Sequence, residues 1–363
     1  MDNNSLDILF LTQEEMVVCG VTDMDKCVKT MEDVFRLHGE GDTLMGEPMK
    51  HGSMMRWPEH RISQSMPKAG PDKRLCAMPA YVGGEFNIAG MKWYGSNTTN
   101  PQKLHLPRSM HLIVLNEPET GKPLAVMDGT LVSAMRTGAM GGLGAKYLAS
   151  KNSEVAGIIG AGAISRAELM AFTVALEELK QVKVFDLFKG TSKKFTEEMK
   201  GKLGIEITSV DSVEEAVRDS DVIGVATAGE TKPSIDTKWL KEGSYLAPLG
   251  GIRESEEMYL ETKMVVDDIE SLLSFTSRKE SLGIFKDLSS LLSKGQVKEN
   301  DFIELGEIVN NRTVGRENAE EKIMLLSFGL PIEDIAWAYT VYKQALNKGM
   351  GQKLQLWKEP YSL

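Results

Sequence analysis

Three basic residues in apolar or glycine-rich segments are the side chains best placed to do chemistry. Lys50 lies in Glu-Pro-Met-Lys-His-Gly, Lys92 in Ala-Gly-Met-Lys-Trp-Tyr-Gly, and Arg136 in Ser-Ala-Met-Arg-Thr-Gly-Ala. Because an unpaired buried charge is costly, a cation in such surroundings usually faces an anion. Arginine binds a carboxylate through two parallel hydrogen bonds, and lysine supplies a point charge or a proton. The alternative is that each is a surface side chain whose stem lies along apolar neighbours.

A glycine-rich segment from Gly157 to Ser165 follows an apolar run and opens a helical pattern. The order strand, turn, helix is typical of the turn that binds the pyrophosphate of a dinucleotide. Gly160 permits the tight turn, and Gly162 lets the backbone approach phosphates at the helix N-terminus. The predicted cofactor contacts of this turn are Gly160, Ala161, Gly162, Ala163 and Ile164.

Asp186 ends the next predicted strand, roughly 20 residues further along, where dinucleotide-binding domains carry an acidic residue. A carboxylate there accepts hydrogen bonds from ribose hydroxyls and repels a 2′-phosphate, so the sequence predicts NAD rather than NADP. Two alternatives remain: a tight turn with a solvated aspartate, or a flavin bound in the same turn.

The composition excludes several classes of partner. The chain has 363 residues, with 42 Lys+Arg against 52 Asp+Glu and a formal net charge of -10. Without a segment dense in basic residues, binding to nucleic acid or to an anionic membrane surface is not expected. No apolar run approaches the roughly 18 residues of a membrane span, and the start lacks a basic region followed by an apolar block. We therefore expect a cytoplasmic protein with a small-molecule partner.

The cysteines and histidines predict neither a disulfide framework nor a metal site. The cysteines are Cys19, Cys27 and Cys76, an odd number without CxxC spacing. The five histidines show no metal-ligand spacing such as HExxH. We expect the cysteines to be small buried hydrophobic residues.

The first third of the chain is typical of an α+β domain. Thr12 to Glu15 is a capping box, and a helix is predicted from Thr22 to Gly39. Residues 41–72 predict strand pieces and a long loop, and residues 75–131 predict a sheet. Residues 131–149, rich in Ala and Gly, predict a helix that packs closely against a neighbour.

From Ser153 short apolar strands alternate with helices, which predicts a parallel, doubly wound sheet. Residues 320–348 predict a return to helix. The predicted fold class is α/β: a Rossmann NAD-binding domain over 131–319, and an α+β domain over 1–130 plus 320–363. The predicted strands are Val155–Ile159, Val182–Phe185, Ile205–Val210, Val222–Thr227, Tyr245–Pro248 and Met264–Val266.

The motifs together resemble the ornithine cyclodeaminase/mu-crystallin family of NAD(P)-dependent enzymes. The resemblance covers nearly the whole chain, and it implies a homodimer whose first domain binds substrate and dimerises, with the C-terminal helices returning to it. It is carried by Ala77-Met-Pro-Ala-Tyr-Val-Gly-Gly84, Gly90-Met-Lys92-Trp, Asn100 with Leu106-Pro107, Asp128-Gly129, Arg136-Thr-Gly-Ala139, Gly157-Ile-Ile-Gly-Ala-Gly162 and Pro331-Ile-Glu-Asp334.

The same resemblance implies roles for single residues. Lys92 and Arg136 would occupy the substrate site, with Arg136 holding an α-carboxylate. Further cofactor contacts would come from Thr137 and Gly138, and from the strand end that contains Ala226 and Thr227.

Two departures from the family pattern bear on the activity. Cyclodeaminases carry an aspartate after the glycine pair that is here Gly250-Gly251, and this chain continues with Ile252. The early arginine of the family has no clean counterpart, because Lys50 and Arg56 both lie near its place. The motifs are closer to members that oxidise or reduce an N-substituted amino acid, and to a subgroup named as a tyramine oxidase subunit.

These observations predict reversible hydride transfer between NAD and an imine or amine carbon next to a carboxylate, as in opine-type or amino acid dehydrogenases and ketimine reductases. Arg136, with Lys50 or Arg56 as a second clamp, would fix the carboxylate. Lys92 would hydrogen-bond the substrate and relay a proton, provided that burial lowers its pKa. One alternative is a redox-neutral deaminase or cyclase, and another is a non-catalytic nucleotide-binding or ligand-binding subunit.

Overall fold

The computed structural model describes residues 5–47, 52–70, 72–228, 231–277 and 285–361. The chain divides into two compact units. The first contains Met1–Asp23, Gly41–Ser133 and Leu330–Leu363, and the second contains Met24–Glu40 and Ala134–Gly329. Both combine helices with one large sheet, and the predicted α/β class is confirmed.

The elements are numbered in chain order. The strands are β1 Leu6–Leu11, β2 Thr43–Met45, β3 Ser53–Arg56, β4 Arg74–Val82, β5 Ile88–Ser96, β6 Ser109–Asn116, β7 Pro123–Asp128, β8 Val155–Ile159, β9 Gln181–Phe185, β10 Glu206–Ser209, β11 Val222–Val225, β12 Tyr245–Pro248, β13 Lys263–Val266, β14 Phe302–Glu304, β15 Ile323–Leu326 and β16 Gln352–Trp357. The α-helices are α1 Gln13–Val18, α2 Met24–Glu40, α3 Asn100–Leu104, α4 Thr130–Leu148, α5 Ala163–Ala175, α6 Lys189–Leu203, α7 Val213–Val217, α8 Glu256–Leu260, α9 Ile269–Thr276, α10 Lys286–Ser293, α11 Leu305–Val309 and α12 Pro331–Lys348.

The first unit is built on an eight-stranded sheet with the order β16-β1-β7-β6-β5-β4-β2, to which β3 adds by pairing with β4. The pairs are antiparallel except β1 with β7. Strands β4 to β7 match the sheet predicted for residues 75–131 to within one residue, since β4 begins at Arg74, whereas β1 and β16 were not predicted. The helix α1 begins with the predicted capping box at Thr12.

One face of this sheet is covered by α12, which packs on β4 and β5. Along β5 the side chains alternate, and Ile88, Lys92, Tyr94 and Ser96 are buried on the inner face. The indole of Trp337 on α12 is fully buried and donates to Val21 O at 3.3 Å. Strand periodicity therefore turns Lys92 towards the core of the unit.

The second unit has a sheet of eight parallel strands in the order β10-β9-β8-β11-β12-β15-β13-β14. Strands β9 and β10 lie on one side of β8, and β11 begins the other side. The connection therefore reverses between β8 and β11, and in open parallel sheets ligands bind at the carboxyl ends of the strands at such a point.

The helix predicted over residues 320–348 is wrong at its start. Ile323–Leu326 is the fully buried strand β15, which pairs with β12 and β13 in the second sheet. Only Pro331–Lys348 is helical in this stretch. A short apolar run suits a buried parallel strand and a buried helix equally well, so composition could not separate them.

Glycines in α4 allow the close helix packing that the sequence predicted. A Cβ added at Gly142 would lie 2.5 Å from the Cβ of Ala171 on α5, and one at Gly138 would lie 2.5 Å from the Cβ of Ala167. Both distances are well below van der Waals contact. The two helices therefore approach closely only because these positions lack side chains.

The cysteines are buried and form no disulfide, as expected for small hydrophobic residues. Among the described residues, no helix is both long and apolar enough to cross a membrane. The same part of the chain contains no group of three His, Cys, Asp or Glu side chains that could hold a metal ion.

Candidate active site

The turn between β8 and α5 needs glycine at its first position. Gly160 has φ +95°, in the region that side chains disfavour, and a Cβ there would lie 2.6 Å from Ala226 O. Its N–H donates to Phe185 O at 2.8 Å, at the end of β9. The turn is thus fixed against the ends of the neighbouring strands.

The N-terminus of α5 is open to a ligand. Gly162 is the N-cap in extended conformation, it supplies no side-chain cap, and no atom lies within 4 Å of the position of an added Cβ. The first helical residues, Ala163 and Ile164, are exposed and half-buried. Because unsatisfied N–H groups and the helix dipole favour anions, this 13-residue helix fits the pyrophosphate of NAD.

Asp186 fastens the phosphate-binding turn to the loop after β9. Its Oδ2 accepts from the N–H of Ala161 at 2.9 Å, and its Oδ1 accepts from the N–H of Phe188 at 2.9 Å. Each carboxylate oxygen has a further lone pair that can accept from a ribose hydroxyl. The carboxylate therefore lies beside the turn, as its predicted role requires.

Arg166, near the start of α5, also stabilises the phosphate-binding turn, and the sequence analysis did not identify it. Its Nη1 donates to Ala161 O at 2.5 Å and to Gly162 O at 3.1 Å. Its Nε and Nη2 donate to Glu198 Oε2 at 3.1 and 2.7 Å. These hydrogen bonds lower the pKa of Glu198.

The carboxyl end of β11 brings Ala226 and Thr227 to the loop that follows β12. Thr227 Oγ1 donates to Gly251 O at 2.5 Å, and Gly250 N donates to Val225 O at 2.8 Å. A Cβ at Gly250 would lie 2.7 Å from Thr227 N. The glycine pair thus lets two strand ends meet at the topological switch point.

Arg136 lies on α4 and is only 6% exposed. Its guanidinium is packed against Gly329, where an added Cβ would lie 2.6 Å from Nη1. Thr137 is half-buried, and Gly138 faces Ala167 in the packing of α4 on α5. For Gly138 the structure thus shows a packing contact, and its contact with the cofactor stays a prediction.

Gly329 is a second residue that sequence reasoning missed. It has φ +75°, and its N–H, together with that of Phe328, donates to Asp267 Oδ2 at 3.3 and 2.6 Å. Asp267 is fully buried. The one available signal was a lone glycine directly after a short apolar run.

In the first unit, Lys92 forms a buried ion pair. Its Nζ lies 2.6 Å from Asp334 Oδ2, and the two residues are 2% and 0% exposed. An opposite charge at this distance favours the ammonium form of a lysine. Asp334 belongs to the Pro331-Ile-Glu-Asp motif, but the sequence assigned it no role.

The ring of Tyr94 lies next to Lys92 on the inner face of the sheet. Lys92 Nζ is 5.6 Å from its centroid, and the Arg74 guanidinium carbon is 5.7 Å from it. Burial raises the pKa of the Tyr94 phenol, so the hydroxyl stays neutral at physiological pH. The cations are thus gathered around a neutral aromatic ring.

The structure describes only one of the two residues, Lys50 and Arg56, that the sequence offered as a second ligand of the substrate carboxylate. Lys50 lies outside the described residues. Arg56 is exposed on β3, directly opposite Arg74 in the β3–β4 register, and its Nε lies 3.0 Å from Met54 Sδ. Sequence reasoning missed Arg74, which ends up on the same face as Arg56.

Comparison with known proteins shows which family the chain resembles over nearly its whole length. The model of the ornithine cyclodeaminase/mu-crystallin family matches residues 10–349. An alanine dehydrogenase of Archaeoglobus fulgidus is 36% identical over 97% of this chain and 100% of its own length. The N-((2S)-2-amino-2-carboxyethyl)-L-glutamate dehydrogenase of Staphylococcus aureus is 30% identical over 97% and 99%.

Among solved structures, the Thermococcus litoralis Δ1-pyrroline-2-carboxylate reductase in complex with NADH and L-proline superposes with a TM-score of 0.82. It is 32% identical, and the match covers 96% of this chain and 100% of that one. The resemblance inferred from the sequence motifs is therefore confirmed, and the chain belongs to the ornithine cyclodeaminase/mu-crystallin family.

Proposed function

We propose that this protein is an NAD-dependent oxidoreductase that acts on the C–N bond of an amino or imino acid, next to its carboxylate. The observation that carries the proposal is the buried ion pair of Lys92 with Asp334 in a chain of this family. The relatives and the solved structure are named as dehydrogenases or reductases of such compounds, and the latter holds NADH.

The second unit supplies the cofactor site. The open N-terminus of α5 takes the pyrophosphate, and Asp186 accepts from the ribose hydroxyls, which favours NAD. When bound, the nicotinamide supplies or accepts the hydride. The remaining contacts that we assign to the cofactor are Thr137, Gly138, Gly160, Ala161, Gly162, Ala163, Ile164, Ala226 and Thr227.

Lys92 is the proton donor of the first unit, to which we assign substrate binding. In the reductive direction its ammonium gives a proton to the imine nitrogen, and in the oxidative direction its amine takes that proton back. Asp334 holds the ammonium in one place on the inner face, because a buried charge needs a paired partner. Asp334 is therefore a positioning residue.

Arg136 is assigned to the substrate carboxylate. A guanidinium binds a carboxylate through two parallel hydrogen bonds and so fixes the orientation of the reacting carbon. Gly329 leaves room for the guanidinium. Burial of Arg136 also limits the number of conformations that the side chain can adopt.

A redox-neutral deaminase or cyclase is less well supported. The position after the Gly250-Gly251 pair, where the family resemblance places the aspartate of the cyclodeaminases, holds the buried apolar residue Ile252. A buried isoleucine cannot exchange protons with a substrate amine. We therefore assign net oxidation and reduction.

A homodimer is the assembly that we propose. The outer face of the first sheet exposes large apolar side chains on two neighbouring strands, with Trp93 on β5 and Met110 and Leu112 on β6 each at least 40% exposed. Contiguous apolar patches of this kind are typical of interfaces, and we assign a second copy of the chain to this face. The cytoplasmic location stays a prediction.

A dehydrogenase screen tests the function. Purified enzyme is given NAD with a panel of amino acids, and NADH with pairs of 2-oxo acids and amines, while the NADH absorbance is followed. We expect turnover with at least one substrate, and its loss in Lys92→Met. Lys180→Met, at an exposed lysine paired with Glu154 and Glu178, is the control. Turnover that persists in Lys92→Met would contradict the assigned site.

A further inference from the structure

We propose that the substrate carries a second carboxylate, bound in the first unit by Arg56, Arg74 and Arg108, here called the arginine cluster. The inference rests on the proposed function and names the class of substrate: a dicarboxylic amino or imino acid, including N-carboxyalkyl amino acids. It extends the site from Lys92 to the far end of the same sheet face.

The arginine cluster is organised around one aspartate. Asp72 Oδ1 accepts from Arg74 Nη1 at 2.7 Å, and Oδ2 accepts from Arg108 Nη2 and, at 3.1 Å, from Arg108 Nε. Ser96 Oγ also donates to Oδ2, at 2.7 Å. Burial alone would raise the pKa of Asp72, but the two arginines outweigh it and hold that pKa below its ordinary value.

The cluster carries more positive charge than Asp72 neutralises. Arg56 stands directly opposite Arg74 in the register of β3 with β4, and like charges in such a pair repel each other. The Nε of Arg74 is buried, and within the described residues it has no hydrogen-bond partner. A planar anion would satisfy this donor and relieve the repulsion.

The cluster is also within reach of a ligand from solvent. The side chains of Arg74 and Arg108 are 23% and 37% exposed, and Arg56 is exposed. Arg74 and Arg108 are therefore neither buried structural ion pairs nor fully solvated surface residues. Half-buried guanidinium groups of this kind are suited to binding a carboxylate.

The register places the cluster at a useful distance from Lys92. On β5 Ser96 pairs with Arg74 and Lys92 pairs with Met78, so the two basic residues lie on one face. Residues four apart on a strand are separated by about 13 Å at Cα, and both long side chains turn towards the Tyr94 ring between them. Tyr94 is 7% exposed, so a substrate that contacts both basic groups must extend past this ring, with several bonds between its reacting nitrogen and its second carboxylate.

The distal group is assigned as a carboxylate rather than a phosphate. Asp72 is part of the cluster, and its charge opposes a dianion more strongly than a monoanion. A carboxylate also matches the planar fork of a guanidinium. The chemistry of the site thus favours glutamate-like over phosphoserine-like substrates.

The test compares substrates that differ only in the distal charge. Initial rates of NADH formation are measured with L-glutamate against L-glutamine, L-aspartate against L-asparagine, and N-(1-carboxyethyl) amino acids with acidic against amide side chains. O-phospho-L-serine is included. We expect kcat/KM for the better acidic member to exceed that of its amide by about 10- to 100-fold, because a charge-assisted hydrogen bond is lost in the amide.

Variants then assign the preference to the cluster. Arg74→Met and Arg56→Met should each bring the ratio of acidic to amide substrate close to one, whereas Arg218→Met should leave it unchanged. Arg218 is an exposed arginine paired with Glu214 on α7 and lies in the second unit. Arg56 is exposed, so its variant is expected to fold even if Arg74→Met does not.

The outcomes separate this inference from the proposed function. If no amino or imino acid supports turnover with NAD, the proposed function fails. If turnover occurs but amides or monocarboxylic amino acids match the acidic substrates, or if Arg56→Met and Arg74→Met keep the wild-type ratio, only the second carboxylate is refuted. A higher kcat/KM with O-phospho-L-serine than with every carboxylate would overturn the assignment of the anion.

Discussion

The ammonium of Lys92 donates to the carboxylate of Asp334 at 2.6 Å although the two residues are separated by 242 positions in the chain. Lys92 belongs to β5 and Asp334 to the first turn of α12, which covers that strand. Both side chains are nearly inaccessible to solvent. The pair therefore fixes the lysine in place and stabilises its ammonium form.

The substitution Lys92→Met tests that role. Methionine is similar in length but lacks charge and donor, so kcat should fall by about 10²- to 10⁴-fold, the usual contribution of a positioned acid or base. The dissociation constant for NAD should stay close to the wild-type value, because the phosphate-binding turn belongs to the second unit. Initial rates and a fluorescence titration with NADH measure the two quantities.

Lys180→Met is the matched control, since Lys180 forms only exposed ion pairs. It should change neither quantity. A loss of less than about threefold in kcat would make Lys92 a bystander, because positioned acids and bases contribute far more. An equal loss of NAD binding would mean that substrate and cofactor have been assigned to the wrong units.

The phosphate-binding turn could be predicted because its chemistry is local. Gly160 and Gly162 lie two residues apart, and Asp186 ends the next strand, so one short segment contains the strand, the turn, the helix start and the acidic residue. Each of these features has its own sequence signal. Lys92 and Arg136 stood out as basic residues in apolar or glycine-rich segments, and the family resemblance then implied their roles.

The partners of those residues could not be predicted, because they arise from folding. Nothing in spacing selects Asp334 among the many carboxylates of the chain as the partner of Lys92. The role of Gly329 follows only from the folded structure, in which its backbone lies against the guanidinium of Arg136. The sequence likewise does not predict the register of β3 with β4, which places Arg56 opposite Arg74.

Asp186 should select the cofactor. Asp186→Ser removes the carboxylate that opposes a 2′-phosphate, so the preference for NAD over NADP should fall, with weaker NAD binding. NAD affinity should suffer additionally because Ala161 and Phe188 lose their acceptor. The measurement is kcat/KM for both cofactors with one substrate.

Asp211→Ser is the control for Asp186→Ser, since Asp211 follows β10 and forms an exposed pair with Lys189. It should leave the ratio between the two cofactors unchanged. A wild-type enzyme that prefers NADP by about tenfold would refute the role of Asp186, since a difference of that size is about 1.4 kcal/mol.

Gly329 should be needed for the position of Arg136. In Gly329→Ala the new methyl would meet the guanidinium at 2.6 Å, so the arginine must move and kcat/KM should fall by about 10-fold or more. Arg136→Lys should lower it as well, because lysine keeps the charge but loses the planar fork. Steady-state kinetics and a thermal melt separate activity from stability.

Gly204→Ala controls for backbone strain alone. Gly204 has φ +70°, close to that of Gly329, but no atom lies within 4 Å of its added Cβ. Both variants should lose stability by about 1–2 kcal/mol from the left-handed conformation. If Gly204→Ala loses as much activity as Gly329→Ala, the effect is strain and not displacement of Arg136.

Glu168 should make the stability of the second unit depend on pH. This residue of α5 is fully buried, and a Cβ added at Gly224 would lie 2.6 Å from its Oε2. Neither carboxylate oxygen has a hydrogen-bond partner among the described residues. Burial therefore raises the pKa of Glu168 well above 4.5, and the native state keeps the proton.

The direction of the effect follows from proton binding. Above about pH 5 the unfolded chain releases the proton of Glu168 while the native chain retains it, so this group lowers the free energy of unfolding as the pH rises. The isosteric variant Glu168→Gln does not titrate. Its stability relative to wild type should therefore rise with pH, by up to about 1.4 kcal/mol per pH unit, until the native carboxyl ionises.

Urea unfolding between about pH 5 and pH 9 measures the difference, with Glu178→Gln on the exposed surface as control. Parallel stability curves for wild type and Glu168→Gln would show that Glu168 is already ionised in the native state at about pH 5.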